Sequence, residues 1–103
     1  MYIEIEKDEI PYDFEIELGG ELFTLEINYN ERFDFFTVSL EKDGETIVSG
    51  EKMVLNQPLF YSLTDDRLPK VLLIPMDESG TEERITYSNL EGSIFLEVAE
   101  LVE

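Results

Sequence analysis

The chain of 103 residues contains no cysteine and no histidine. Disulfides, thiolate nucleophiles, zinc centres of the usual Cys/His type and imidazole acid–base catalysis are thereby excluded. Alanine occurs once, at Ala99, so the surface alanines that favour long helices are missing. Bases are scarce as well: seven lysines and arginines stand against 25 acids, a formal charge of −18. Direct binding to a phosphate backbone or an anionic lipid surface needs cationic area, which this balance does not supply. No apolar run approaches the ~18 residues of a membrane span. The longest, residues 71–74, is far too short, and the first residues lack the basic and apolar regions of a secretory signal.

What remains is β-forming. The apolar 43% of the chain is Ile, Leu, Val, Phe and Tyr almost throughout, and it recurs with a period of two. Ile3 and Ile5 alternate with Glu4 and Glu6. Phe14, Ile16 and Leu18 alternate with Glu15 and Glu17, and Phe23, Leu25 and Ile27 with Thr24 and Glu26. Each segment reads as a strand with one dry and one wet face.

Gly19-Gly20 supplies positive φ for a tight turn and predicts a hairpin of residues 13–18 and 21–29. Residues 29–34 read as a polar turn with Asn30 in the tolerant backbone position, before a strand over 35–41 that buries Phe36, Val38 and Leu40. Asp43-Gly44 predicts a second, type I′ hairpin turn, leading into 46–49, with Gly50 at a turn or bulge.

Met53 and Leu55 read as a further short strand, and 58–63 as either one helical turn capped by Asn56 or an ordered loop. The continuous apolar run 71–76 predicts a central strand covered on both faces. A loop at 77–83, a short element at 84–87, a turn at 88–92 and a last strand over 93–98 complete the order. Residues 99–103 read as a frayed tail or an arm that docks on a neighbour. Seven or eight short strands in one domain of residues 1–103, without linker or repeat, predict a small antiparallel β-barrel or β-sandwich.

Carboxylates are the only residues left that could carry chemistry. Those on strands alternate outward to water, and Asp65-Asp66 and Asp77-Glu78 in loops lack the spacing of a calcium loop. Lys52 and Lys70 have no motif around them, and Gly19-Gly20 precedes a strand where a nucleotide motif would precede a helix. No enzyme, cofactor or metal site is expected. The acidity is compatible with three readings: solubility, complementarity to a basic protein, or mimicry of nucleic acid. Aromatics exceed what a core needs. Phe35 and Phe36 must face opposite ways on one strand, so Phe33, Phe35, Phe60, Tyr61 and Tyr2 are the candidate protein-contact residues, with a second apolar layer as the alternative.

The serial order of these features resembles the plug family of contractile-tail phage baseplates. The resemblance rests on Pro11 and Phe14, Leu18-Gly19-Gly20, Tyr29-Asn30, Asp43-Gly44, the stretch Met53-Val54-Leu55-Asn56-Gln57-Pro58-Leu59-Phe60, and Thr86-Tyr87-Ser88-Asn89-Leu90 before the last strand. It runs from about Ile3 to Val98. It implies a non-enzymatic structural component of the virion tail, made in the host cytoplasm, near the tail axis where tube, hub and spike proteins meet. Several copies would be held by neighbouring subunits, with no nucleic-acid or membrane binding. Residues 2–6 and 99–103 would then be the segments that cross between subunits by extending a neighbour's sheet. An acidic protein-binding module, or an inhibitor that mimics nucleic acid, is the alternative.

Overall fold

Among the described residues seven strands form, in the order the alternation predicts. The computed structural model describes residues 1–100, with β1 (Tyr2–Ile3), a 3-10 turn (Lys7–Glu9), β2 (Tyr12–Leu18), β3 (Glu21–Asn30), β4 (Phe35–Lys42), β5 (Glu45–Lys52), β6 (Val71–Asp77) and β7 (Ile94–Glu100). The pairings between these strands are antiparallel. A four-stranded sheet runs β2-β3-β4-β5 and a three-stranded sheet β1-β7-β6. They do not close into one barrel; the fold is a sandwich.

The turn chemistry explains the meander of the larger sheet. Gly19 and Gly20 have φ of 60° and 84°, and Asp43 and Gly44 have φ of 53° and 80°. Both two-residue loops therefore place two successive residues at positive φ, as a type I′ hairpin requires. Gly19 also lies against the start of β6, where a Cβ would sit 3.4 Å from Lys70 Cβ. In β5 the register passes from Val38 opposite Glu51 to Leu40 opposite Val48, so β5 carries an extra residue there, and a second where Glu41 pairs with Thr46. Gly50, at φ 68°, occupies the first bulge and donates its N–H to Ser39 Oγ at 2.9 Å.

The inner faces meet in one core. Phe23, Leu25 and Ile27 of β3 and Phe36, Val38 and Leu40 of β4 are buried, in cross-strand rows such as Leu25 opposite Leu40 and Ile27 opposite Val38. Leu73 of β6 and Ile94 and Leu96 of β7 cover them from the other sheet. Burying one such side chain stabilises by about 1.5–3 kcal/mol, so these rows fix the register.

Residues 53–60 join the sheets along one side without becoming a strand. Met53 donates its N–H to the Phe36 carbonyl at 2.9 Å. Asn56 and Leu59 donate theirs to the carbonyls of Pro75 and Leu73, each at 2.8 Å. The position of Pro75 follows from this. In an antiparallel strand a residue's N–H and C=O point the same way, so the N–H that Pro75 lacks would have faced outward from β7.

Several expectations are corrected here. β6 is an edge strand among the described residues, with β7 as its strand partner, and its outer face is only partly covered, with Met76 45% exposed. No strand forms at Met53 and Leu55; of the two forms expected for 58–63, the ordered loop is found and the helical turn is not. Asn56 instead takes a left-handed conformation at φ 64° and caps nothing. In the turn after β3 the left-handed residue is Asp34, at φ 56°, while Asn30 accepts the Phe33 N–H through Oδ1 at 3.0 Å. Residues 84–87, expected as a short element, form neither strand nor helix, and Ile85 is buried. At the chain's end β7 continues through Ala99 and Glu100, and the remainder of the expected tail or arm lies outside the described residues.

Candidate interaction surfaces

The two outer faces of the sandwich differ in chemistry. On the four-stranded sheet, alternation places Asp13, Glu15 and Glu17 of β2, Glu26 of β3 and Glu41 of β4 on the side away from the core. Asp13 lies directly opposite Glu26, a like-charge pair that a solitary sheet gains nothing from. Thr24, Ser39 and Thr46 fill the space between them, above a shallow polar depression. Phe35 shares this face, next to Lys52, whose Nζ sits 4.9 Å from its ring centroid.

The outer face of the three-stranded sheet is apolar. Register places Leu72 opposite Ala99, Met76 opposite Phe95, and Glu97 between Ile74 and Tyr2. Leu73, Pro75 and Leu96, the intervening residues, point into the core. The Tyr2 and Phe95 rings are 4.8 Å apart and tilted by 58°. Tyr2 and Met76, on the two outer strands of this sheet, are 46% and 45% exposed. Leu72 continues this surface into a depression lined by Tyr61, Leu68 and Pro69.

A polar staple holds one end of the sandwich. Asp34 Oδ1 accepts the Tyr29 hydroxyl at 2.6 Å and the Tyr87 N–H at 2.9 Å, while Oδ2 accepts from Arg84 at 2.9 Å. The Tyr29 hydroxyl, the Tyr87 amide and then Arg84 hold the Asp34 carboxyl below the usual aspartate range. The same bond to Asp34 pushes the Tyr29 phenol up to about 12. Lys7 donates to the Tyr87 carbonyl at 2.7 Å and lies 4.9 Å from the centre of its ring. Asn89 then organises the following loop: its amide donates to the Arg84 carbonyl at 2.9 Å and to Glu82, and its Oδ1 accepts from Thr86 at 2.7 Å. This is the physical content of the Tyr87-Ser88-Asn89-Leu90 stretch, and it buries Leu90 completely.

The loop acids are engaged locally. Asp77 accepts from the Ser79 hydroxyl at 2.6 Å and the Glu82 N–H at 2.7 Å. Asp65 pairs with Arg67 at 2.7 Å, which depresses its carboxyl to about 2. Among the described residues no three carboxylates converge as a metal would require.

The five aromatics singled out from the sequence do not gather into one patch. Phe33, 64% exposed, projects from the β3–β4 turn with the Arg32 guanidinium 5.2 Å from its ring. Phe35 lies on the acidic face, Tyr2 on the apolar one, and Tyr61, 77% exposed, beyond Leu72. Phe60 is corrected: it is 4% exposed and belongs to the core. Its φ of 65° is costly for a bulky residue and is held by its buried ring and by its N–H donating to the Glu51 carboxylate. The residues the sequence reading missed are Leu72, Ile74, Met76 and Phe95, whose outward phase follows from the burial of Leu73, Pro75, Ile94 and Leu96 on the other face.

Architecture and surfaces together define an all-β sandwich with one acidic and one apolar outer face. A family profile described as "Cyanophage baseplate Pam3 plug gp18" matches residues 1–100. The chain belongs to this family of baseplate plug proteins. A search of curated proteins finds no match.

Proposed function

We propose that the chain is a non-enzymatic plug of a contractile-tail baseplate, seated near the tail axis and held in several copies by hub and tube proteins. Membership of the plug family across residues 1–100 carries the reading. The division of the surface supports it. An apolar sheet face suits burial against a neighbour, and an acidic one suits a wall past which a polyanion slides without sticking. The acidic face is accordingly directed to the DNA conduit, and the less acidic surfaces meet the other subunits.

The test is mass spectrometry of purified tails, joined to a pull-down with the chain at low and moderate salt. Stoichiometric recovery of its peptides from tails, and capture of hub or tube proteins, is expected. Absence from tails, with capture of a basic nucleic-acid-handling host protein that is lost as salt rises, would overturn the reading in favour of an inhibitor.

A further inference from the structure

We infer that the outer face of the β1-β7-β6 sheet is a docking surface for a different protein, one presenting apolar side chains around a lysine or arginine that meets Glu97. The inference rests on the baseplate reading and names the surface through which the chain is held.

Three observations carry it. First, Leu72, Ile74, Met76, Phe95, Ala99 and Tyr2 occupy the outward register positions of three adjacent strands; Tyr2 and Met76 are exposed and the other four are half-buried. An antiparallel sheet that keeps one face in water ordinarily shows polar residues there, as the partner sheet does with Asp13, Glu15, Glu17 and Glu26. The contrast lies within one molecule, so it does not reflect composition.

Second, the surface has the size and shape of an interface centre. A patch of this kind is on the order of a few hundred Å², below the roughly 800 Å² per partner of a stable complex. It needs an extension, and Leu72 provides one by lining the depression that holds Tyr61 and Pro69. The contacting Tyr2 and Phe95 rings, with the flexible Met76 opposite Phe95, are the composition that interface cores favour.

Third, charge selects the occupant. Glu97 stands at the centre of the face, between Ile74 and Tyr2, and no base lies opposite it in the register. A second copy of this chain would bring Glu97 towards Glu97 and a charge of −18 towards −18. Burying a carboxylate beside a like charge is disfavoured, whereas a lysine or arginine on the partner satisfies it. A basic-centred apolar surface of another subunit is therefore the occupant.

Hydroxyl-radical footprinting and carbodiimide cross-linking of intact tails, set beside the free protein, decide the matter. Met76 is expected to be oxidised at least about tenfold more slowly in the tail, while Leu22, on the acidic sheet, is less protected. Glu97 is expected to cross-link to a lysine of a protein of different sequence, or, where the partner base is an arginine, to show no link while Met76 protection holds and Glu97→Lys abolishes incorporation. Met76→Glu, whose side chain lies outside the core, should keep the thermal midpoint of the free chain and lose incorporation about tenfold. Equal oxidation of Met76 in tail and free protein overturns the docking surface, and links from Glu97 only to this same chain overturn the choice of partner. Recovery of the chain's peptides from tails distinguishes either result from failure of the baseplate reading, with which the inference would fall.

Discussion

The carboxylate of Asp34 accepts the backbone N–H of Tyr87 at 2.9 Å across 53 positions of sequence, tying the β3–β4 turn to the loop that precedes β7. One residue thereby joins the two sheets at one end, and it does so from a left-handed conformation that aspartate and asparagine tolerate. Asp34→Asn keeps that backbone preference and removes the charge. The Tyr29 phenol, held up to about 12 by its bond to Asp34, should then fall back towards 10. Carbon NMR of the tyrosine ring across alkaline pH reads this directly, and an unchanged Tyr29 titration in the variant would show that Asp34 is not its partner.

Acid should act on stability in two opposed ways. Asp34, Asp65 and Asp77 have carboxyls depressed by hydrogen bonds or Arg67. Their contribution is complete above the unfolded value of about 3.9 and is lost as pH falls through the folded values, towards about 2 for Asp65. Above that window, protonating other acids relieves the repulsion of a chain at −18. The thermal midpoint at low salt should therefore rise from pH 7 to about pH 5 and fall below about pH 4. Added salt should raise it at pH 7. A midpoint that falls steadily from pH 7, or ignores salt, contradicts this.

The pair Asp13 and Glu26 faces across β2 and β3 with like charge. Glu26→Lys makes it an opposite pair and should stabilise the isolated chain by about 0.2–1 kcal/mol. Denaturant unfolding measures this. If the acidic face serves the assembled tail, the same variant should support less infectivity despite its higher stability, as functional surfaces often trade one for the other.

Neighbouring phenylalanines should respond very differently. Phe36→Ala empties a fully buried position between Tyr29 and the core and should cost about 3–5 kcal/mol. Phe35→Ala removes a ring on the outer face next to Lys52 and should cost about 1 kcal/mol or less. Comparable losses by equilibrium unfolding would mean that the two faces of β4 have been assigned wrongly.

Much of this architecture was legible in the chain. Period-two alternation located β2, β3 and β4, and Gly19-Gly20 and Asp43-Gly44 specified the hairpins, because those signals are local and need no knowledge of the partner strand. The long-range features were not. An apolar run such as Val71–Met76 looks the same whether a strand is covered on both faces within its own chain or has one face left for a neighbour. Pro75 was the available clue, since a residue without an N–H belongs on an edge. Asp34 could not be distinguished from Asn30 because both suit a turn, and the choice is made by Arg84 and Tyr87 some 50 residues away. Phe60 read as a surface aromatic because its burial depends on residues 53–60 crossing between the sheets.

The most direct test is the structure of the assembled baseplate by electron cryomicroscopy at a resolution that shows side chains. The account predicts density for this sandwich near the tail axis, with Asp13, Glu15, Glu17 and Glu26 towards the lumen and Ile74, Met76 and Phe95 against another protein. A sandwich found at the tail periphery, or one with its acids far from the axis, would contradict it.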